Sequence, residues 1–162
     1  MRLIVVGTGG MAKNHVEHFA RIPGVEIVGA VDTDATRLTA FCDTFDIKKR
    51  FSSLDEALAW GEFDAATNVT PDKAHHPTTL PLLAAGKHVL CEKPLAENYE
   101  KALEMTEAAE RAGVVNMVNL TYRNVAQLQK AREIVTSGQI GAVKHKITRI
   151  HESGRARGSR LR

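Results

Sequence analysis

Gly7-Thr8-Gly9-Gly10-Met11-Ala12 follows Leu3-Ile4-Val5-Val6 without a break. Four consecutive apolar residues read as a strand covered on both faces, the mark of a parallel sheet inside an α/β protein. Gly7 allows the tight turn out of the strand. Gly9 has no side chain to block a group approaching the backbone, and Ala12 is small enough for the next helix to lie close to the sheet. The first turn of that helix offers N–H groups with no partner inside the helix. A G-x-G-x-x-A that leaves a strand and opens a helix therefore predicts a cradle for the pyrophosphate of a dinucleotide, formed by Gly7, Thr8, Gly9, Gly10 and Met11. The glycines also cut the apolar run too early for a secretory leader.

Beyond the loop, strands and helices alternate. The helix from Met11 to Ala20 ends at Pro23-Gly24. A strand over Val25 to Val31 and a helix over Asp34 to Phe45 follow. Lys49 to Phe51 reads as a short edge strand, and Ser53 as the cap of a short helix that runs to Trp60. Ala65 to Val69 is a strand, Asp72 to Ala85 a helix stopped by Gly86, and His88 to Cys91 a strand. The spacing then predicts a helix over Asn98 to Ala112, a strand over Val114 to Leu120 and a helix over Asn124 to Ser137. Val143 to Ile150 alternates apolar and polar residues, so it reads as a half-exposed strand of a different, antiparallel sheet. The expected fold class is α/β: a Rossmann-type doubly wound parallel sheet over residues 1–120. Residues 121–150 supply a linking helix and the first strand of a second, α+β domain. Residues 151–162 form a basic tail expected to be disordered.

In such sheets ligands bind at the carboxyl ends of the strands. Asp32 ends the second strand, twenty residues past Ala12, where a carboxylate accepts hydrogen bonds from the adenosine ribose; Asp34 is the better candidate for the N-cap. Asp32 would repel a 2′-phosphate, which favours NAD over NADP, although Arg37 nearby can stack on adenine or meet a phosphate. Thr70-Pro71 ends the fourth strand, and His75, one helical turn on, reads as a ligand-facing or capping residue. Glu92-Lys93-Pro94 ends the fifth, and Tyr122-Arg123 follows the sixth. At that edge Lys93 can polarise a substrate hydroxyl or carbonyl, or exchange a proton with it. A surface Glu92–Lys93 ion pair is the bland alternative, and the position favours chemistry. Neither His15 with His18 nor His75 with His76 has a third ligand arranged with it, so no metal is expected.

Composition excludes other classes. The formal charge is +3, but Arg155, Arg157, Arg160 and Arg162 lie in the last ten residues; removing four positives from +3 leaves −1 for the rest. With only 5% aromatic residues and no basic face, nucleic acid is not an expected partner. No stretch approaches 18 apolar residues, so no membrane span is expected. Cys42 and Cys91 stand far apart in no metal or redox spacing, which suits a reducing cytoplasm.

"GTGGMAKNH", "AVDTD", "TPDKAHH", "AAGKHVLCEKPLA", "TYRN" and "SGQIGAVKH", in that order, resemble the amino-terminal half of the glucose-fructose oxidoreductase, inositol dehydrogenase and MocA family. The resemblance covers residues 1 to about 150. It implies an oxidoreductase that moves hydride between NAD(P) and a sugar, cyclitol or related polyol, usually as a homo-oligomer. It places Gly7, Gly9, Asp32, Thr70, Pro71, His75, Glu92 and Lys93 along the cofactor, with Arg123 near it and Lys93 beside the reacting carbon. Family members continue into an open antiparallel sheet that carries the substrate pocket and a helix with aspartate and histidine. Those two residues have no counterpart here. The chain is therefore expected to be either a truncated dehydrogenase or a non-catalytic nucleotide-binding or oligomerisation module, and the strand Val143 to Ile150 is expected to seek a partner.

An unneutralised carboxylate facing a phosphate costs on the order of 1–3 kcal/mol, about 5- to 150-fold in affinity. NAD(H) is expected to bind more tightly than NADP(H) by that factor, as measured by calorimetry.

Overall fold

The structure, a computed structural model, describes residues 1–145. Six strands form one sheet: β1 (Arg2–Val6), β2 (Glu26–Val31), β3 (Lys49–Phe51), β4 (Ala65–Asn68), β5 (His88–Cys91) and β6 (Asn116–Val118). Their order is β3-β2-β1-β4-β5-β6, and every neighbouring pair is parallel. The order reverses at β1, so the first connection runs one way across the sheet and the crossover to β4 runs the other. The helices between the strands are α1 (Gly10–Phe19), α2 (Ala35–Phe45), α3 (Leu54–Trp60), α4 (Asp72–Ala84) and α5 (Tyr99–Ala112). Among the described residues no helix is long and apolar enough to cross a membrane.

The apolar run of β1 serves two cores at once. Ile4 and Val6 join Phe51, Leu82, Val89 and Met105 on one face. Val5 joins Ala12, Val16, Leu38, Phe41 and Ile47 on the other. Burial on both faces explains why the run does not alternate. Caps set several helix starts. The Asp34 side chain accepts from the Arg37 N–H, Ser53 from Glu56 and Asn98 from Lys101. At the amino edge of the sheet Lys87 donates to the Gly61 and Phe63 carbonyls at 2.9 and 2.7 Å, closing the end of α3.

Three expectations are corrected. β6 spans only Asn116–Val118 instead of Val114 to Leu120, because as an edge strand it pairs with β5 alone, through Val89, Leu90 and Cys91. The helix expected from Asn124 starts later. Thr121–Asn124 is a 3-10 turn, Val125 is extended (ψ 126°), and α6 runs over Ala126–Thr136. The helix expected from Met11 begins one residue earlier, at Gly10.

The chain divides into two compact units that part between Leu120 and Thr121. The first holds the whole sheet; the second contains the 3-10 turn and α6. The expected strand Val143 to Ile150 lies outside the described residues from 146 onward, and residues 143–145 form no strand. The tail 151–162 also lies outside them.

Gly29 shows how tightly the sheet is filled. A Cβ there would sit 3.0 Å from Cε2 of Phe51 and 3.4 Å from Cγ2 of Ile4. Gly29→Ala is expected to destabilise the domain by about 1–3 kcal/mol through overpacking, read as a lower urea midpoint with an unchanged slope.

Candidate functional site

Five strand tips meet at the carboxyl edge, and direct contacts tie each to the next. Gly7, at the end of β1, has φ +90°, and a Cβ on it would lie 3.0 Å from the backbone N of Thr70. Only glycine meets both conditions, so the β1 and β4 loops can touch. Thr8 donates its N–H and its hydroxyl to Oδ2 of Asp32, at 2.8 and 2.7 Å, and so fastens the β1 loop to the tip of β2. The Thr70 hydroxyl donates to Oδ1 of Asn68 at 2.7 Å. His75 bridges the next gap: Nε2 lies 2.9 Å from the Thr70 carbonyl and Nδ1 2.7 Å from the Pro94 carbonyl. Glu92 and Asn119 join the tips of β5 and β6 at 2.7 Å.

Gly9 and Gly10 are different. Gly9 has φ −74°, which any residue adopts, and a Cβ at Gly9 or Gly10 would meet nothing within 4 Å. Neither the backbone nor the packing of the protein asks for glycine here. The N-terminus of α1 also lacks a capping side chain and has no acid in its first turn. A row of donors opening onto bare backbone fits a phosphate group and serves no internal contact.

Asp32 is buried and heavily bonded. Burial pushes its carboxyl up. Hydrogen bonds from Arg37, from the Asp34 N–H and from Thr8 outweigh that and hold it well below the usual carboxylate range. Arg37 grips it with two bonds, Nε to Oδ2 at 3.0 Å and Nη2 to Oδ1 at 2.8 Å, while about half of the arginine side chain stays exposed. The expected ribose acceptor therefore already carries a guanidinium.

Glu92 and Lys93 part company. The Glu92 carboxylate accepts from His15 Nε2 (2.9 Å), Asn119 Nδ2 (2.7 Å) and the Lys93 backbone N–H (3.1 Å). Lys93 is exposed, and among the described residues no acid lies within ion-pair distance of its ammonium. A surface Glu92–Lys93 pair is thus replaced by a buried carboxylate and an outward lysine. The peptide between Lys93 and Pro94 is cis.

The other expected residues fall as follows. Met11 and Pro71 are exposed at the rim, and Pro71 caps α4. His75 is 1% exposed, with its two ring nitrogens within hydrogen-bond distance of the Thr70 and Pro94 carbonyls, one of which a neutral ring can serve as donor. Arg123 is exposed in the 3-10 turn of the second unit, where its carbonyl accepts from the Gln129 side chain. His18 bonds Asn14 of its own helix and His76 bonds Glu104, so the two histidine pairs do not converge. Four supporting residues escaped the sequence reading: His15, Thr67, Asn68 and Asn119. The signal for His15 was a polar residue on the apolar stripe of α1.

Comparison with known proteins decides the family. The model for the Gfo/Idh/MocA oxidoreductase family, NAD-binding Rossmann fold, matches residues 1–120. The chain belongs to that family. It is 37% identical over 137 residues to 1,5-anhydro-D-fructose reductase of Ensifer adhaerens, covering 85% of this chain and 41% of that protein. It is 29% identical over 143 residues to inositol 2-dehydrogenase of Corynebacterium glutamicum strain R, covering 87% of this chain and 42% of that one. Among solved structures, the WlbA dehydrogenase from Bordetella pertussis in complex with NADH and UDP-GlcNAcA superposes with a TM-score of 0.82 at 33% identity, covering 86% of this chain and 43% of the other. The chain thus spans about two-fifths of the length of these Gfo/Idh/MocA relatives.

Asp32 and Glu92 both have lowered carboxyl pKa values, so the native state binds fewer protons than the unfolded chain. Their contribution is fully present above the unfolded values, 3.8 and 4.5. It is lost as pH falls through the folded ones. Unfolding free energy is expected to drop from pH 5 to pH 3, with a shallower drop in Asp32→Asn, as followed by urea titration at each pH.

Proposed function

We propose that residues 1–120 hold NAD(H) along the carboxyl edge of the sheet and serve as the cofactor half of an oxidoreductase acting on a hydroxyl carbon of a sugar, cyclitol or related polyol. The observation that carries this reading is the uncapped N-terminus of α1 above Gly9 and Gly10, two glycines that the protein's own packing does not require. The names of the relatives, a sugar reductase and a cyclitol dehydrogenase, support the substrate class.

The roles follow from chemistry. The N–H groups of Gly10 and Met11 bind the pyrophosphate. Asp32, kept ionised by its donors, accepts from the adenosine ribose hydroxyls, and Thr8 holds it in place. Arg37 shares that carboxylate, so it must share or yield its bonds when the ribose arrives. Its exposed end also softens the repulsion of a 2′-phosphate. The nicotinamide supplies or takes up the hydride. Lys93, exposed and unpaired among the described residues, brings its ammonium to the substrate oxygen and steadies the charge that builds there as the C–H bond breaks or forms. Thr70, Pro71 and His75 set the height of the loop opposite. Cys42 and Cys91 are buried free thiols, and burial pushes the Cys91 thiol up to about 11. Such inert thiols suit work in a reducing compartment such as the cytoplasm.

Gly9→Val tests the reading, because the added Cβ meets nothing within 4 Å and the backbone already has an ordinary conformation. Its stability is expected to stay within about 0.5 kcal/mol of the parent. Its affinity for NADH, followed by nicotinamide fluorescence, should fall at least tenfold. Unchanged affinity would sink the cofactor site. In a protein that also carries the substrate domain, Lys93→Ala should lower kcat by about 10²- to 10⁴-fold while NADH affinity stays nearly intact.

A further inference from the structure

The resemblance places Glu92 along the cofactor, and the structure shows how its carboxylate is held. Glu92 is 6% exposed, stands at the tip of β5, and spends its carboxylate on His15, Asn119 and the Lys93 N–H. Burial pushes the carboxyl up, but the bonds from Asn119, His15 and the Lys93 N–H prevail and keep it below its ordinary value. Hydrogen-bond bookkeeping then fixes the tautomer of His15. A carboxylate only accepts, so Nε2 carries the proton, and Nδ1 accepts from the Thr67 hydroxyl at 2.7 Å. Thr67 is fully buried, and in this arrangement its hydroxyl proton has an acceptor. The cluster of His15, Thr67, Glu92 and Asn119 leaves no buried side-chain donor or acceptor unsatisfied among the described residues. In this tautomer the charge of the cluster is the Glu92 carboxylate, which is 6% exposed and held by three donors.

The sheet order places this anion relative to the cofactor loop. Asp32 lies at β2, the glycine loop at β1, and Glu92 at β5, on the opposite side of β1 from Asp32. A dinucleotide with its ribose at Asp32 and its pyrophosphate at Gly9 extends its other half toward β4 and β5. That half is a pyridinium cation when oxidised and a neutral ring when reduced. We propose that Glu92 biases the site toward the oxidised cofactor, because its buried carboxylate attracts the cationic nicotinamide and has no such hold on the reduced ring. The inference rests on the NAD reading above. The neighbouring Lys93 ammonium is exposed to water and screened by it, whereas the Glu92 carboxylate is largely buried and less screened.

The experiment is a pair of calorimetric titrations, NAD+ and NADH, on the chain and on Glu92→Gln. The variant keeps the shape and removes the charge. It is expected to bind NAD+ about 3- to 30-fold more weakly while NADH changes less than about twofold. That raises the potential of the bound couple by about 30 mV for each tenfold. Equal loss of both forms would reduce Glu92 to a scaffold residue and overturn the proposal, and so would an unchanged ratio. If the parent binds neither form, the NAD reading fails and takes this inference with it. Should Glu92→Gln not fold, the parent chain decides by reciprocity. NAD+ must then lower the titration midpoint of the Glu92 side-chain carboxyl carbon, followed by NMR, further than NADH does. Equal midpoints overturn the proposal.

Discussion

A buried carboxylate has to be met by donors from whatever surrounds it, and around Glu92 those donors come from α1, from the loop after β6 and from its own turn. An unmet charge in that position costs several kcal/mol, so the three elements have one workable arrangement. The neighbouring tips are held in the same way. Thr8 holds Asp32, Gly7 admits Thr70, and His75 spans from Thr70 to Pro94. The carboxyl edge of this sheet is therefore a framework braced by polar bonds, whereas the two cores behind it are apolar.

Against this framework stand groups that it leaves unbraced. Gly9, Gly10, Met11 and the Lys93 side chain are exposed at the edge. Rigid support beneath and free groups above is the arrangement that positions charge without ordering it anew in each cycle. Arg37 falls between the two classes. It is bonded to Asp32 and yet half exposed, so it is the member of the site with the most freedom to change partner.

Much of this was legible in the residues because the signals were local. Val6 to Ala12 carries its strand, its turn and its helix start within seven positions, and Asp32 ends a strand that its own apolar run defines. The cap at Ser53 and the glycine stop at Gly86 were equally near their consequences. What stayed hidden depended on partners far along the chain. His15 meets Thr67 and Glu92 across 52 and 77 residues, and no pattern around position 15 announces either. The ion pair weighed as the alternative for Glu92 and Lys93 does not form, because His15 of α1, Asn119 and the Lys93 N–H occupy the carboxylate. The limits of β6 were set by the short partner strand beside it, and the late start of α6 by one extended residue, Val125.

The span of the His15–Glu92 bond has a bearing on how the domain is made. Contacts between residues so far apart form late, since the loop they close must be ordered first. Until β5 is laid down, His15 has no carboxylate to face, and until Asn119 arrives that carboxylate lacks one of its donors. A ribosome-bound chain would therefore carry the glycine loop for most of its synthesis before the far side of the sheet could complete the edge. Binding competence and completion of the fold would then coincide, so that a half-made domain has little to offer a nucleotide.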